Sequence, residues 1–150
     1  MSRLGMSRLG LILFCALPAL IVPAAADNLI EPGQWKVTSS TVMNGAAMQP
    51  AVKARCLTAE QAGDIAKTFG PSSGTVNSTC EPAELETAGR KLKWHLRCRG
   101  QMDMDVLGNF DFDSPVHYTA TVTSKAWMAG SLMSDVKTEL EGERVSACQP

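Results

Sequence analysis

The side chains best suited to chemistry in this chain are His95, Asp103, Asp105, Asp111, Asp113 and His117, and all of them fall on odd positions. Imidazoles beside carboxylates can pass protons, and clustered carboxylates can hold a divalent cation. The alternation works against both uses. In an extended strand, residues two apart share a face but stand roughly 6–7 Å apart along it. The carboxylates therefore spread out rather than converging as they do in a calcium loop. None of the serines stands in a nucleophile motif, and no Ser-His-Asp arrangement is indicated. The pattern reads as a solvated sheet face with paired charges, and as no enzyme.

Met102-Asp103-Met104, together with Met43, Met48, Met128 and Met133, raises copper(I), a soft ion that takes thioether ligands. Met102 and Met104 alternate with the aspartates and so point the other way, toward a core that methionine fills well. No cofactor or metal is expected. The four cysteines that follow residue 26 are Cys56, Cys80, Cys98 and Cys148. They show no C-x-x-C spacing, which argues against zinc and against thioredoxin-type redox chemistry. An even number in a small exported chain reads as two disulfides.

Export follows from the leader. Arg3 and Arg8 form a basic start, Leu9 to Val22 an apolar run, and Ala24-Ala25-Ala26 a small-residue cleavage box. Residues 1–26 are therefore expected to be a cleavable signal peptide. The apolar run ends at Pro23 and is short for a membrane span, so no stable anchor is expected after cleavage. Cys15 follows bulky Phe14, which does not suit a lipoprotein box. Removing 26 of the 150 residues leaves 124, enough for a single disulfide-bonded β-rich domain over 27–150. Its 15 acidic and 12 basic side chains give about −3, which argues against nucleic acid as a partner.

These side chains must be positioned by strands. Trp35, Val37, Ser39, Thr41 and Met43 alternate as one strand, Asn44-Gly45 is a hairpin signal, and Ala51 to Cys56 is a second strand. Thr58 and Gln61 form a capping box ahead of Ala62, Ile65, Ala66 and Phe69. That arrangement predicts one short helix near residues 59–69, stopped by Gly70-Pro71. Three runs then keep apolar residues on even positions: Leu92, Trp94, Leu96 and Cys98; Met102, Met104, Val106, Gly108, Phe110 and Phe112; Val116, Tyr118, Ala120 and Val122.

Parity sets the register, because a one-residue slip reverses the faces. A three-residue loop at Arg99-Gly100-Gln101 sets Cys98 opposite Met102, Trp94 opposite Val106 and His95 opposite Asp105. One at Asp113-Ser114-Pro115 sets Phe110 opposite Tyr118 and His117 opposite Asp111. A turn at Ala88-Gly89 pairs Leu85 with Leu92 and brings Cys80 within one position of Cys98, a gap that a bulge near Pro82 would close. That pairing, Cys80–Cys98, leaves Cys56 for Cys148. The last strand is Ser134 to Val145, and 126–133 reads as an apolar-lined loop. The fold expected is mainly β, bordering on α+β: a curved antiparallel β-meander, as a half-barrel or small barrel, since one short helix cannot cover so many strands.

Pro32-Gly33-Gln34-Trp35, Cys56-Leu57-Thr58, Cys80, Trp94 with Cys98, Gly108 and Phe110, Tyr118, and Gly142-Glu143-Arg144 with Cys148 run in the order of one family. The chain resembles exported Gram-negative proteins grouped as domain of unknown function 3617. Ala120 and Ser146 depart from that pattern, standing where glycines are expected. The resemblance implies a periplasmic, β-rich, disulfide-bonded domain and no established activity.

The function expected is non-enzymatic binding. Trp35, Trp94, Met104, Phe110, Phe112 and Tyr118 would line an apolar concave face able to take a small hydrophobic ligand. The alternative is a protein–protein interaction module or inhibitor acting on an envelope partner.

Overall fold

The alternation around Trp35 produces the first strand, β1 (Gly33–Met43), which turns at Asn44-Gly45 into the short β2 (Ala46–Ala47). Both turn residues take positive φ, 48° and 83°, as a two-residue hairpin turn demands. The chain returns along β1 as β3 (Ala51–Leu57), with Trp35 opposite Arg55 and Val37 opposite Lys53. These elements belong to a computed structural model of the chain, which describes residues 28–72 and 78–149. The expected signal peptide lies outside the described residues.

The helical segment forms where the capping box predicts. Thr58 Oγ1 accepts from Gln61 N–H, and Gln61 Oε1 accepts from Thr58 N–H at 3.0 Å. It is two helices rather than one: α1 (Ala59–Gly63) and α2 (Ile65–Phe69). Asp64 breaks the run with φ −125° and ψ 78°. Its side chain caps α2 by accepting from Lys67 N–H at 3.0 Å.

Beyond β4 (Ser78–Cys80) and β5 (Glu84–Ala88), four long strands form the meander: β6 (Lys91–Gly100), β7 (Met102–Ser114), β8 (His117–Met128) and β9 (Ser131–Ser146). The sheet runs β2-β1-β9-β8-β7-β6-β4, with β3 also on β1 and β5 also on β6. Every pairing is antiparallel, and the sheet does not close, so of the two expected forms it takes the open one. Even positions of β6, β7 and β8 face inward as the parity requires, with Leu92, Trp94, Leu96, Cys98, Phe110, Phe112, Tyr118 and Ala120 buried.

The registers differ from expectation by two residues, except at the β7–β8 turn, where His117, expected opposite Asp111, pairs with Ser114. Cys98 pairs with Met104, Trp94 with Gly108, and His95 with Leu107; Phe110 pairs with Ala120; Leu85 pairs with Trp94. A shift of two leaves every face unchanged, so the apolar pattern cannot detect it and loop geometry decides. At the β6–β7 turn, Asp103 Oδ1 accepts from Gly100 N–H and closes a wider loop than three residues. At the β7–β8 turn, an irregularity between Asp111 and Ser114 absorbs the difference. The segment 126–133 is not a loop: β8 and β9 continue through it, joined by Ala129-Gly130 at positive φ. Polar alternation fades there because apolar side chains stand on both sides of the strands, including exposed Met128, Leu132 and Met133.

Both bridges pair as the strand argument requires, Cys80 with Cys98 and Cys56 with Cys148. Between the Cys80–Cys98 and Glu84–His95 pairs, β4 and β5 advance four residues while β6 advances three. The extra residue falls around Pro82, as a bulge there requires.

Candidate functional site

The concave side of the sheet carries an aromatic cluster centred on Phe69, the last residue of α2. Its ring lies 5.2 Å from Tyr118, 5.4 Å from Phe112 and 5.5 Å from Phe110. Trp94 Nε1–H donates to Phe69 O at 2.9 Å, so the tryptophan satisfies its one polar atom by holding the helix end. Trp35 lies tilted against Tyr118, ring centres 5.6 Å apart, and donates to Glu31 O. Arg90 secures the N-terminal lead-in by donating to Leu29 O at 2.8 Å and to Phe112 O, with Ile30 buried beneath.

The helical pair packs on the concave face through Phe69, against Phe110, Phe112, Tyr118 and Trp94, with Ala62 and Ile65 in the same core. Where that packing ends, a cleft of about 610 Å³ opens between β3, α2 and the sheet. Val37, Phe69, Phe110 and Leu140 supply its apolar lining, Tyr118 and Thr138 supply hydroxyls, and Lys53 and Arg55 stand at its β3 side. Of the six aromatic and methionine candidates, Phe110 and Tyr118 border this cleft. Trp35 and Phe112 are 1% and 0% exposed and belong to the packed core, as does Trp94 beneath the helix end. Met104 is half-buried farther along the same face. Thr68, Lys53 and Arg55 were missed by sequence reasoning. The available signal was the i, i+2 spacing of Lys53 and Arg55 in a strand whose partner on β1 was unassigned.

Tyr118 is 4% exposed and makes no hydrogen bond through its hydroxyl among the described residues. Burial raises its pKa, against a smaller opposing effect of the Arg55 charge. At neutral pH the phenol therefore keeps its proton and remains a donor. The Arg55 guanidinium carbon lies 5.7 Å from the Phe69 ring centre, close enough for the cation to feel the ring face.

The histidines and aspartates occupy the opposite, outer face and do not converge. His117 Nδ1 lies 2.8 Å from Asp113 and Nε2 3.2 Å from Glu141. His95 Nε2 lies 3.6 Å from Asp105, which also meets Arg99 at 3.3 Å. Asp111 pairs with Lys91. The partners of the two imidazoles on β7 are Asp113 and Leu107. Six residues of strand separate them, roughly 20 Å. His117 is raised in pKa, first by its hydrogen bond to Asp113 and then by that to Glu141; Asp113 is lowered by the same His117 bond. Among the described residues no three His, Cys, Asp or Glu side chains gather as metal ligands. Met102 lies opposite Met128 on β8. A second depression, bordered by Lys91, Lys93, Asn109, Asp111, Thr121 and Glu139, reaches down to the core residues Phe110, Ala120 and Leu140.

The span from the lead-in at Ile30 to the second bridge at Cys148 matches a family described as "Protein of unknown function (DUF3617)", over residues 30–148. The chain belongs to that family. DUF3617 thereby takes in both disulfides, the helical pair and all the strands. No curated protein matches the chain, and no solved structure matches it either. The two disulfides indicate an oxidising compartment. No helix among the described residues is long and apolar enough to cross a membrane.

Proposed function

We propose that this DUF3617 chain is a periplasmic, non-enzymatic binding domain that holds a small hydrophobic ligand in the cleft beside Phe69. The observation that carries this reading is the incomplete cover of the concave face. Val37, Leu140 and the edge of the Phe69–Phe110 contact border open space there, in a cleft of about 610 Å³. Small-molecule sites usually measure roughly 300 to roughly 1000 Å³. On the outer face most charged groups meet an opposite charge, as Lys91 does Asp111 and His117 does Asp113, and such exposed pairs are solvated.

The test is titration of the purified, oxidised protein with a neutral apolar dye such as Nile red, alongside solvent extraction and native mass spectrometry of the protein as isolated. Saturable one-site binding, abolished in Ser39→Trp where the indole would fill the cleft, is the expected result. No co-purifying molecule and no saturable dye binding would remove the proposal.

A second reading has its own observation. Met43, Met128, Leu132 and Met133 are all exposed at the end of the sheet farthest from the helices. Exposed, adaptable methionines suit docking of an envelope protein. Crosslinking in the periplasm that captures a defined partner through this end, together with failure of dye binding, favours the interaction module.

A further inference from the structure

The cleft carries charge of one sign. β3 is an edge strand, and residues opposite one another in a ladder project to the same side of the sheet. Lys53 lies opposite Val37 and Arg55 opposite Trp35, both inward-facing, so both cations project over the concave face. They are the charged residues bordering the cleft. Neither makes an ion pair or hydrogen bond among the described residues. On the outer face most cations are paired: Lys36, Lys91, Arg97, Arg99, Lys125 and Lys137 each meet a carboxylate, and Lys93 is the exception. Beside Lys53 and Arg55 stands Tyr118, whose ring is buried and whose hydroxyl borders the cleft with no hydrogen-bond partner among the described residues. Three donors thus border one side of an apolar cleft that holds no acceptor side chain bearing charge.

From the cleft, the concave face continues through Leu140, Val122 and Val106 to Met104, all of them half-buried. Along β7 this path from Phe110 to Met104 is six residues, roughly 20 Å. We infer that the ligand is a single-chain aliphatic carboxylate, its carboxylate among Arg55, Lys53 and Tyr118 and its chain along the concave face. Arginine suits a carboxylate because its planar fork can donate twice. The inference rests on the reading of the cleft as a ligand site. The competing use of these cations is protection of the β3 edge, where inward-pointing charge deters pairing with another chain.

Calorimetric titration of the oxidised protein with decanoate and with decanol separates the two. Decanoate is expected to bind at least tenfold more tightly than decanol and to weaken as salt is raised. Lys53→Gln/Arg55→Gln should lose about tenfold for decanoate and nothing for decanol, while Arg55→Lys keeps part of the preference. Both side chains are exposed, and an unchanged near-ultraviolet circular dichroism spectrum checks that the variants fold. Equal affinity for the two ligands, or a double variant that binds decanoate as before, overturns the anionic ligand while leaving an apolar one standing. If neither ligand binds, both readings fail together.

Discussion

Trp94 lies across Gly108 on the neighbouring strand, so closely that a Cβ at Gly108 would stand 2.2 Å from Trp94 Cε2. The indole cannot easily withdraw, because its N–H is held by Phe69 O. Tyr118 repeats the arrangement over Gly142, where a Cβ would meet Tyr118 Cε1 at 2.1 Å. In both places a missing side chain on one strand makes room for an aromatic ring from the next.

Gly108→Ala is therefore expected to destabilise the protein by about 1–3 kcal/mol, the usual cost of overpacking a filled core. Gly142→Ala should act in the same direction. Urea denaturation followed by tryptophan fluorescence measures both. A Gly108→Ala midpoint equal to wild type would mean that the indole has another place to lie.

Phe69 is the one helical side chain that touches three aromatic residues of the sheet. Phe69→Ala should cost about 3–5 kcal/mol, as truncation of a buried phenylalanine generally does. Thr58→Ala, which removes one half of the capping box at the other end of the helical pair, should cost only about 1 kcal/mol. A reversal of that order in calorimetry would show that the pair is anchored by its cap and not by its ring.

The two disulfides close loops of very different length, with sequence separations of 92 and 18. In the chain-entropy model the Cys56–Cys148 bridge contributes about 4–5 kcal/mol and Cys80–Cys98 about 3 kcal/mol. Serine pairs at each site, compared in urea, should rank in that order. Equal losses would point to the packing of Cys98, which is fully buried, as an added contribution of the shorter bridge.

His117 gives a pH dependence of known sign. Its folded pKa is raised above the usual value of 6.5 by Asp113 and Glu141. Its stabilisation is therefore complete below that value and is lost as pH rises through the folded pKa. Asp113 is lowered from 3.8, so its part is present above that value and fades as pH falls through the folded pKa. The urea midpoint of the wild type should thus decline from about pH 6 to about pH 8, and His117→Gln should flatten the decline. A His117 ring proton that titrates at or below the usual histidine value in NMR would contradict this.

Much of the sheet is legible in the sequence because Trp94, Phe110 and Tyr118 keep their parity through long strands. Parity fixes the face and not the register, so it sets Trp94 opposite Val106 where the structure pairs it with Gly108. Wide turns and a bulge, built from hydrogen bonds such as Gly100 N–H to Asp103, leave no periodic trace. The break at Asp64 has a signal, an N-cap residue after a glycine, but it lies inside a good amphipathic pattern. The cleft is the least legible part. Phe110 and Tyr118 share their pattern with buried Trp35 and Phe112, and only the extent of helical cover separates lining from core.

The neighbour relationship of β1 and β9 has a consequence for the order in which the molecule can assemble. One edge of β1 finds β2 and β3 as soon as residue 57 is available, whereas its other edge must wait for Ser131–Ser146. At synthesis rates of about 5–20 residues per second, a chain delivered from its N-terminus leaves that edge unpaired for several seconds or more. During that interval Cys56 is a thiol without its native partner, and the β6–β9 meander is still growing. A helper that shields an open strand edge, or a catalyst that corrects a premature bridge, would act on this protein in that interval and have little to do once β9 is in place.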